Sequence, residues 1–522
     1  MTEELVLTNI GLKGLSTDPA PWSLPPEYIN YGTNFRIFAG SIVTDGGETL
    51  WGTAPANFYP AYPFHVGSTS GDYWLIAGRD AIYVFDGTAW TDLSSVAGYG
   101  SLSAGDELFW SGCMLGQVPI LNNPQHAPEY WAPQVTTQVM QPLDFDSVNT
   151  WDDLSYSCQV MRSHRNFLFA LSLFESGTEL YDSYRWSHPA DINGLPATWD
   201  ETDESFLAGK ASLGGNGGRI IDGASLRDAF CIYSENSIDI LDYTNDEFVW
   251  RRRELSATAG LLSKQSMVEV KGVHFFLSNG DILKNDGNKI DSVAHNRIRK
   301  DLSNRIDVDN FDRSYAVKND RLKEIWFCVP EAGEDYANIA YIYNWKDDSW
   351  AIRDIVANIA TAGYGSQSSP GQTWDISGET WDNNKSVWGS STATPIDDTI
   401  IGANPVDHTL YVLDPRQSPD NDFNSVIERT NFPLLGQRQV TTITRVYPHI
   451  DGNSDLSIQF GSQDYPNGAI RWKPAITFNP STQRKIDVRT TGELHAWRIS
   501  SLGKGTWSMS GMTIEYVPAG LR

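Results

Sequence analysis

The stretch "DYWLIAGRDAIYVFDGTAWTDLS", residues 72–94, decides the fold class of this chain. Two runs rich in aromatic and β-branched residues flank the turn "GRD", and a polar turn, "DGTA", leads to a closing tryptophan, Trp90. Aromatic and β-branched residues favour strands, and Gly and Asp favour the tight turns between them. The stretch therefore predicts a small antiparallel meander.

The same order of strand, turn, strand and polar turn recurs along the chain. Two further segments also close on a tryptophan, at Trp250 and Trp350, and we expect these tryptophans to be packed in the interior. Units of about 40 residues built in this way are typical of β-propellers, whose blades have four strands. We predict a propeller of six to eight blades over residues 61–415. The recurring segments are 106–131, 183–202, 229–255, 273–290 and 338–355.

One helix is expected between strands, at "DSVAHNRIRKDLSNRI", residues 291–306. Its apolar residues recur at roughly helical spacing, and Asp291 or Ser292 could cap its first turn. A single short helix leaves the fold class unchanged. The chain is predicted to be all-β.

The last hundred residues differ from the rest in charge. Residues 423–522 hold 11 basic and 7 acidic residues, a net charge of +4, whereas the first 422 hold 28 basic and 58 acidic residues, a net charge of −30. A boundary near residues 414–425 is the simplest explanation. The segments that follow alternate apolar and polar residues between Gly, Asn and Pro turns, which predicts a β-sandwich over residues 416–522. Residues 1–60 are predicted to be an N-terminal β segment.

The composition excludes several classes of function. A formal net charge of −26 argues against a protein that grips nucleic acid by its phosphates, which takes clustered Lys and Arg. The four cysteines lie far apart without metal-ligand spacing, so we expect reduced, mostly buried thiols. The first residues lack the pattern of a signal peptide, and no apolar run reaches membrane-span length. We therefore expect a soluble protein made in a cytosol, with no membrane anchor.

A tryptophan stands at every seventh position of the stretch "GQTWDISGETWDNNKSVWGSS", at Trp374, Trp381 and Trp388. A coiled coil needs two apolar positions per heptad, and Gly, Asp, Asn and Ser dominate this stretch. We interpret it as a polar insertion, near residues 361–395, whose tryptophans anchor it to a blade or to a neighbouring subunit. The alternative is a glycan-binding platform of exposed indoles.

Four segments resemble the tail nozzle, or hub, proteins of short-tailed bacteriophages. They are "YINYGTNFRIFAGSIVTDGGETLWG", "RWSHPADINGLPATW", "YNWKDDSWAIRDI" and the ending "HAWRISSLGKGTWSMSGMTIEYVPAGLR". The "TWD" tripeptides at Thr150, Thr198, Thr373 and Thr380 also look like insertions found in such proteins. The resemblance touches both ends and the middle of the chain.

This resemblance implies a structural virion protein rather than an enzyme. It implies assembly into a ring, expected to be a hexamer, below the head-to-tail adaptor protein, with a tail fibre or tailspike protein as a further partner. Residues 1–60 would be the region of contact in that ring. Viral DNA would pass through the channel without specific binding. The implied location is the tail of the virion, after assembly in the cytoplasm of the host bacterium. The alternative function is a propeller-fold carbohydrate-binding protein or glycoside hydrolase.

Few residues are candidates for chemistry. The densest basic spot in the acidic region is Arg251, Arg252 and Arg253, where strand alternation points Arg252 opposite to its neighbours. We predict an interface role for these arginines and for Trp374, Trp381 and Trp388. We expect no catalytic residue, no cofactor and no metal site. The remaining candidates are better explained by ordinary structural roles than by catalysis or metal binding. They are the acidic pairs at 152–153 and 347–348, the loop 307–312, the glycine-rich stretch 212–220, and His164, His188, His274 and His408.

Overall fold

A computed structural model of the chain describes most of its residues. The described ranges are 2–68, 71–95, 99, 109–132, 139–190, 194–215, 217–244, 248–367, 398–414, 423–435, 439–503 and 505–521. Within these ranges the chain forms forty-two β-strands and one α-helix, α1 (Arg299–Arg305). Two single 3-10 turns are Pro21–Ser23 and Phe311–Arg313. The all-β prediction is confirmed.

The N-terminal segment, which we define as residues 2–53, contributes seven short strands. They are β1 (Glu3–Leu7), β2 (Gly14–Leu15), β3 (Tyr28–Ile29), β4 (Tyr31–Thr33), β5 (Phe35–Phe38), β6 (Ser41–Thr44) and β7 (Thr49–Thr53). These strands do not pair into one sheet. They join four different sheets that are otherwise built from later parts of the chain.

Five consecutive units of four antiparallel strands follow, each folded from one contiguous stretch. Unit 1 has β8 (Pro60–Ser68), β9 (Gly71–Gly78), β10 (Ile82–Phe85) and β11 (Trp90–Asp92); unit 2 has β12 (Ser111–Leu115), β13 (Val118–Asn122), β14 (Glu129–Tyr130) and β15 (Gln141–Pro142). Unit 3 has β16 (Ser157–His164), β17 (Phe167–Glu175), β18 (Thr178–Trp186) and β19 (Gly209–Ser212). Unit 4 has β20 (Ile220–Leu226), β21 (Ala229–Ser234), β22 (Ile238–Tyr243) and β23 (Trp250–Ser256); unit 5 has β24 (Met267–Val270), β25 (Val273–Ser278), β26 (Asp281–Asn285) and β27 (Ile290–Ser292).

Two further units borrow strands from the N-terminal segment. Unit 6 has β28 (Tyr315–Asn319), β29 (Glu324–Val329), β30 (Ala337–Asn344) and β31 (Ser349–Ile359), extended by β2 and β3. Unit 7 has β32 (Thr361–Ser366), β33 (Asp398–Asn404) and β34 (Thr409–Val412), and its fourth strand is β7. A strand from the start of the chain therefore completes the last unit.

Successive units lie side by side, in most cases through their first strands. β12 contacts β8 and β16, β16 contacts β20, β24 contacts β28, and β28 contacts β32. Units 4 and 5 share a hydrophobic cluster. The backbone N–H of Gln265 donates to Asp222 Oδ2 across that junction at 3.1 Å. β32 also contacts β8, so unit 7 lies beside unit 1.

Two six-stranded sheets, C-terminal sheets 1 and 2, are built mainly from the last hundred residues. Their strands are β35 (Val426–Phe432), β36 (Gln439–Gly452), β37 (Leu456–Gln463), β38 (Arg471–Trp472), β39 (Ile476–Phe478), β40 (Ile486–Gly492), β41 (Leu494–Ser501) and β42 (Trp507–Leu521). Sheet 1 runs β40-β36-β42-β6-β5 with β1 also on β42, and sheet 2 runs β38-β37-β41-β35-β4 with β39 on β37. Buried side chains of both sheets belong to one hydrophobic cluster, which continues into units 5 and 6.

The contact of β2 with unit 6 depends on a glycine. β2 runs parallel to β31, with Gly14 opposite Trp350. Gly14 has φ +69°, and a Cβ at this position would lie 1.9 Å from the carbonyl oxygen of Trp350. Only glycine fits here, because any other side chain would collide with backbone and adopt a disfavoured φ.

The closing tryptophans lie where neighbouring units pack. Trp250 belongs to the cluster between units 3 and 4, and Trp350 is fully buried in the large cluster, as predicted. Trp90 is only partly buried, and its ring stacks on Phe85 at 4.6 Å. These tryptophans stabilise the fold by covering the edges of adjacent sheets.

One local prediction differs from the structure. The helix begins at Arg299, and no side chain caps it. Ser292 lies further back in the chain, where it accepts a hydrogen bond from the amide of His295 in the preceding turns. In the segment 183–202 the described residues after β18 form a loop, and the fourth strand of unit 3 comes later, at β19. In that loop Trp199 packs perpendicular to Trp151 at 5.0 Å, so the described "TWD" tryptophans contact each other.

Candidate functional site

A cavity of about 970 Å³ opens beside units 4, 5 and 6. The links that lead into units 5 and 6 form much of its wall, with Leu261, Leu262 and Phe311 as apolar lining. Lys264 and Arg219 add positive charge to the same wall. Concave sites of this size with a few polar groups are where small ligands bind most often. The cavity is therefore the first place to look for chemistry.

Lys264 is a strongly perturbed cation in this cavity. Its Nζ donates to the carbonyl oxygen of Gln159 at 3.1 Å and lies 5.1 Å from the ring centroid of Phe109. Burial lowers the pKa of Lys264 to about 8, with Asp222 opposing the shift and Arg162 reinforcing it. A desolvated ammonium is less stable than one in water, so its proton is lost more readily.

The carboxylate that interacts with this amine, Asp222, is not free to act as a base. Asp222 is held by Arg162, whose Nε and Nη2 each donate to its carboxylate at 2.8 Å, and by the amide of Gln265. This bidentate pair joins β16 of unit 3 to β20 of unit 4. Its carboxylate is therefore committed to the packing of two units. A catalytic base needs an accessible lone pair within hydrogen-bond reach of its substrate.

A second group of charges is buried where the N-terminal segment meets units 6 and 7. We define it as the junction cluster: Arg36, Asp45, Glu324, Arg353 and Asp414. Arg36 binds Asp45 at 2.6 Å and Asp414 at 3.0 Å, and Arg353 binds Asp45 at 3.1 Å. All five side chains are nearly inaccessible to solvent.

The junction cluster shifts the pKa values of its carboxyl groups in opposite directions. Burial raises the pKa of Glu324 to about 7, because Asp414 adds to the effect and Arg36 only partly offsets it. The pKa of Asp45 is lowered, since two arginines outweigh the effect of burial. The ion pairs of the cluster hold chain segments together, and none of its five residues lines the cavity described above. Its role is structural.

The predicted interface arginines lie on β23, the outer edge of unit 4. Arg252 binds Asp239 at 2.8 Å and Arg253 binds Asp242 at 3.0 Å. Arg253 also donates to the carbonyl oxygen of Gly287 in unit 5 at 3.1 Å, whereas Arg252 lies close enough to Tyr184 of unit 3 to affect its pKa. The two side chains thus point to opposite faces of the strand. All three arginines are exposed, and their interface role stays a prediction.

The other predicted interface residues, Trp374, Trp381 and Trp388, lie outside the described residues. The acidic pairs occupy turns: Asp153 accepts hydrogen bonds from the amide and hydroxyl of Thr150, and Asp348 accepts one from Tyr343. In the loop 307–312, Asp307 accepts backbone amides from Asp309 and Gly333. These carboxylates are engaged by their own turns.

Four histidines occupy separate structural hydrogen bonds. His164 Nδ1 lies 2.8 Å from Ser225 Oγ, and His274 Nε2 lies 2.8 Å from the carbonyl oxygen of Ser225, so one serine links units 3, 4 and 5. His408 contacts the carbonyl oxygen of Phe58, and His188 accepts the amide of Leu207. The link through Ser225 has no sequence signal, because its three residues are about fifty positions apart.

His164 is unsuited to act as a general base. Burial lowers its pKa to about 4, and its Nε2 lies 3.2 Å from the carbonyl oxygen of Asp228. Both ring nitrogens are thus occupied by fixed neighbours. The glycine-rich stretch 212–220 joins β19 to β20, and no helix follows it. It therefore offers no strand–loop–helix geometry for phosphate.

The cysteines are buried and unpaired, as predicted: Cys113, Cys158, Cys231 and Cys328. Burial raises the pKa of each thiol to about 12, which makes them poor nucleophiles. Among the described residues, no group of three or more His, Cys, Asp and Glu side chains is placed to hold a metal ion. No helix in the described ranges is long and apolar enough to span a membrane.

Comparisons with known proteins add little. No protein-family model matches the chain, and no curated protein matches it in sequence. Among solved structures, the chain is similar to a functionally unknown protein from Desulfotomaculum acetoxidans DSM 771. The two are 12% identical over 62% of this chain and 98% of that chain, with a TM-score of 0.33. A likeness at this level supports no statement about function.

Proposed function

We propose that units 1 to 7 are the blades of a seven-bladed β-propeller and that C-terminal sheets 1 and 2 form a β-sandwich. The cyclic order of contacts between neighbouring units supports the propeller, as does the completion of unit 7 by β7. Pairing a terminal strand into the last blade closes such a ring with hydrogen bonds rather than with side chains alone. The cluster shared by the two C-terminal sheets supports the sandwich.

We further propose that the protein is a structural component of the tail nozzle of a short-tailed bacteriophage, and not an enzyme. The observation that carries this proposal is that charged side chains pair with each other between parts of the fold. The bidentate Arg162–Asp222 pair joins two units, and the Arg353–Asp45 pair joins unit 6 to the N-terminal segment. A catalytic site would instead need charged groups that are exposed and not already paired. The resemblance of four segments to nozzle proteins supports the same conclusion.

The proposed assembly is a closed ring of this chain, with a hexamer as the expected form. Its partners would be the head-to-tail adaptor protein and a tail fibre or tailspike protein. The C-terminal region, with a net charge of +4, is suited to meet acidic protein surfaces in the ring or the adaptor. Opposite net charges on two parts of one chain favour contacts between neighbouring copies.

The proposed channel guides DNA without gripping it. Six copies of a chain with net charge −26 carry 156 negative formal charges, which repel a polyanion. Screening confines this repulsion to about 8 Å at physiological salt, so an acidic wall keeps DNA centred without closing the passage. Tight phosphate contacts would instead hold the genome in place.

Mass photometry of the purified protein, or of tails released from particles, tests the assembly. The chain has a mass of 58.1 kDa, so a hexamer would appear at six times that value, and negative-stain images should show rings. A protein that stays strictly monomeric in the assembled particle would contradict the proposal.

A filter-binding titration of duplex DNA tests the channel. The assembled ring should bind weakly at both low and physiological salt. Tight binding with a steep salt dependence would contradict a guiding channel. Reversing the charge at Arg251, Arg252 and Arg253 would then show whether this cluster holds the DNA. Binding to glycans with turnover would instead favour the carbohydrate-active alternative.

A further inference from the structure

Three consecutive units carry a cation at the same strained position. The turn between the first and second strands has two residues in units 3, 4 and 5, and its first residue is Arg165, Arg227 or Lys271. Their φ angles are +53°, +56° and +51°. We call these residues the cationic turns. In unit 6, Lys323 ends a longer turn at the same place with φ +62°.

Residues of this type are unexpected there. The first position of a two-residue hairpin needs positive φ and is dominated by Gly, Asn and Asp. Unit 2 follows that rule with Gly116, at φ +61°. Elsewhere in the described chain, the residues with positive φ include five asparagines but no other Lys or Arg. A strained backbone carrying long cations at one repeated place indicates that the side chains have a use.

The cationic turns are neighbours in space. Arg165 Nη2 lies 3.4 Å from the carbonyl oxygen of Asp228 in the next turn, and 3.6 Å from its exposed carboxylate. A Cβ on Gly272, beside Lys271, would lie 2.8 Å from Arg227 Nε. The three turns therefore form one continuous surface across units 3, 4 and 5.

A hollow of about 280 Å³ opens in this surface, lined by Arg165, Arg227 and Arg253. Three carboxylates also line it, and each has a donor of its own: Asp242 binds Arg253 at 3.0 Å, Asp286 accepts the amides of Asn288 and Lys289, and Asp228 lies near Arg165. Arg227 lies close enough to Asp286 to add to the lowering of its pKa, which the backbone amides of Lys289 and Asn288 mainly cause. Within the described ranges the Arg227 guanidinium donates no hydrogen bond and forms no direct ion pair, so its donors can bind a ligand.

We propose that this surface docks an acidic segment of a partner protein, with a carboxylate of the partner entering the hollow to bind Arg227. A guanidinium presents a planar fork that matches a carboxylate in two parallel hydrogen bonds. Arg165 and Lys271 flank the hollow and suit further acidic side chains of the same segment.

Duplex DNA fits this surface less well than an acidic polypeptide. The lining carboxylates, among them Asp228 with its fully exposed side chain, interrupt the cations and would face a continuous row of phosphates. Acidic side chains on a polypeptide are spaced and flexible, so they can reach single arginines between those carboxylates. The net charge of −26 also opposes a polyanion of high charge density.

Fluorescence anisotropy with labelled poly-L-glutamate tests the proposal on the full chain. We expect salt-sensitive binding by the parent protein and at least about a tenfold increase in Kd for R165N/R227N. The matched control is K300N/K473N, which removes two exposed cations on α1 and on the C-terminal region and should bind like the parent. Labelled duplex DNA serves as the second probe.

Two outcomes separate docking from a structural role. Asparagine suits positive φ, so R165N/R227N should melt at the parent temperature or above it while binding less. R165Q/R227Q should bind poly-L-glutamate as weakly as R165N/R227N. It should show no rise in melting temperature, because glutamine is as disfavoured at positive φ as arginine. Equal binding of poly-L-glutamate by R165N/R227N and the control would overturn the proposal. Tighter binding of DNA than of poly-L-glutamate at these turns would overturn it as well.

Discussion

Units 1 to 5 and units 6 and 7 are built on different plans. Each of the first five is folded from one contiguous stretch, and its strands pair with their sequence neighbours. Units 6 and 7 take strands from the N-terminal segment, some 300 residues away, and the same segment adds four strands to the two C-terminal sheets. The junction cluster is buried in this second region, where distant parts of the chain meet. Local units are joined by aromatic packing and by single ion pairs such as Arg162–Asp222, whereas the composite region buries five charged side chains together and depends on one glycine contact.

The largest effect on stability should follow from Arg353→Met. The Arg353 side chain is fully buried, binds Asp45 at 3.1 Å and donates to the carbonyl oxygen of Gly47 at 2.7 Å. Removing one partner leaves buried charge uncompensated, which costs about 3–5 kcal/mol. Urea unfolding should show this loss. A loss no greater than that of an exposed arginine would mean that the composite region is held by apolar packing alone.

The next effect concerns the closing tryptophans. Trp350→Ala should cost about 3–5 kcal/mol, the range for large aromatic residues in a core. Trp90→Ala should cost clearly less, because Trp90 is only partly buried. Calorimetry of both variants measures the difference. If the two variants melt alike, burial between units does not determine how much each tryptophan stabilises the fold. If both melt like the parent and lose glycan binding, the result favours the carbohydrate-binding alternative.

A third effect depends on pH. The pKa of Glu324 is raised to about 7, so the folded state keeps a proton that the unfolded chain loses near pH 4.5. This group therefore adds stability at low pH, and that contribution is lost as pH rises to about 7. Glu324→Gln removes the dependence, and its stability relative to the parent should rise between pH 5 and pH 8 by about 1–3 kcal/mol. A parallel pH profile for both proteins would contradict the assignment.

The smallest effects belong to the exposed arginines of unit 4. Arg253→Met removes an ion pair whose two side chains are both exposed, which contributes about 0–1 kcal/mol. Arg252→Met should cost more, because its partner Asp239 is buried. Thermal melts at low and high salt measure both, and the Arg253 effect should shrink with salt. A reversed order would show that partner burial does not set these energies.

Strand pairing within one contiguous unit could be predicted from the sequence. The pairing of N-terminal strands with units 6 and 7 could not. The hairpins at 72–94, 229–255 and 273–290 follow from alternating runs and turn residues, which act over short distances. The pairing of β7 with β34, or of Gly14 with Trp350, has no local signature, because it depends on chain segments more than 300 residues apart. The helix start was also wrong: Asp291 pairs with Lys289, and Ser292 accepts the amide of His295 in a turn before the helix, so neither caps it.

The candidate residues divide in the same way. The opposed directions of Arg252 and its neighbour Arg253 follow from strand alternation alone. Arg227 escaped prediction, since a lone arginine beside an aspartate carries no pattern until the turns of three units are aligned. Lys264 became visible only through the cavity around it. The junction cluster was invisible because its members are scattered over nearly 400 positions.

Hydrogen exchange measured by mass spectrometry on the intact protein tests the central proposal, that β7 of the N-terminal segment completes unit 7 and so closes a ring of units. β7, Thr49–Thr53, should exchange as slowly as β34, Thr409–Val412, because each protects the other through the pairing of Thr49 with Val412 and Leu50 with Tyr411. Exchange of β7 at the rate of a frayed terminus, with β34 still protected, would contradict the claim.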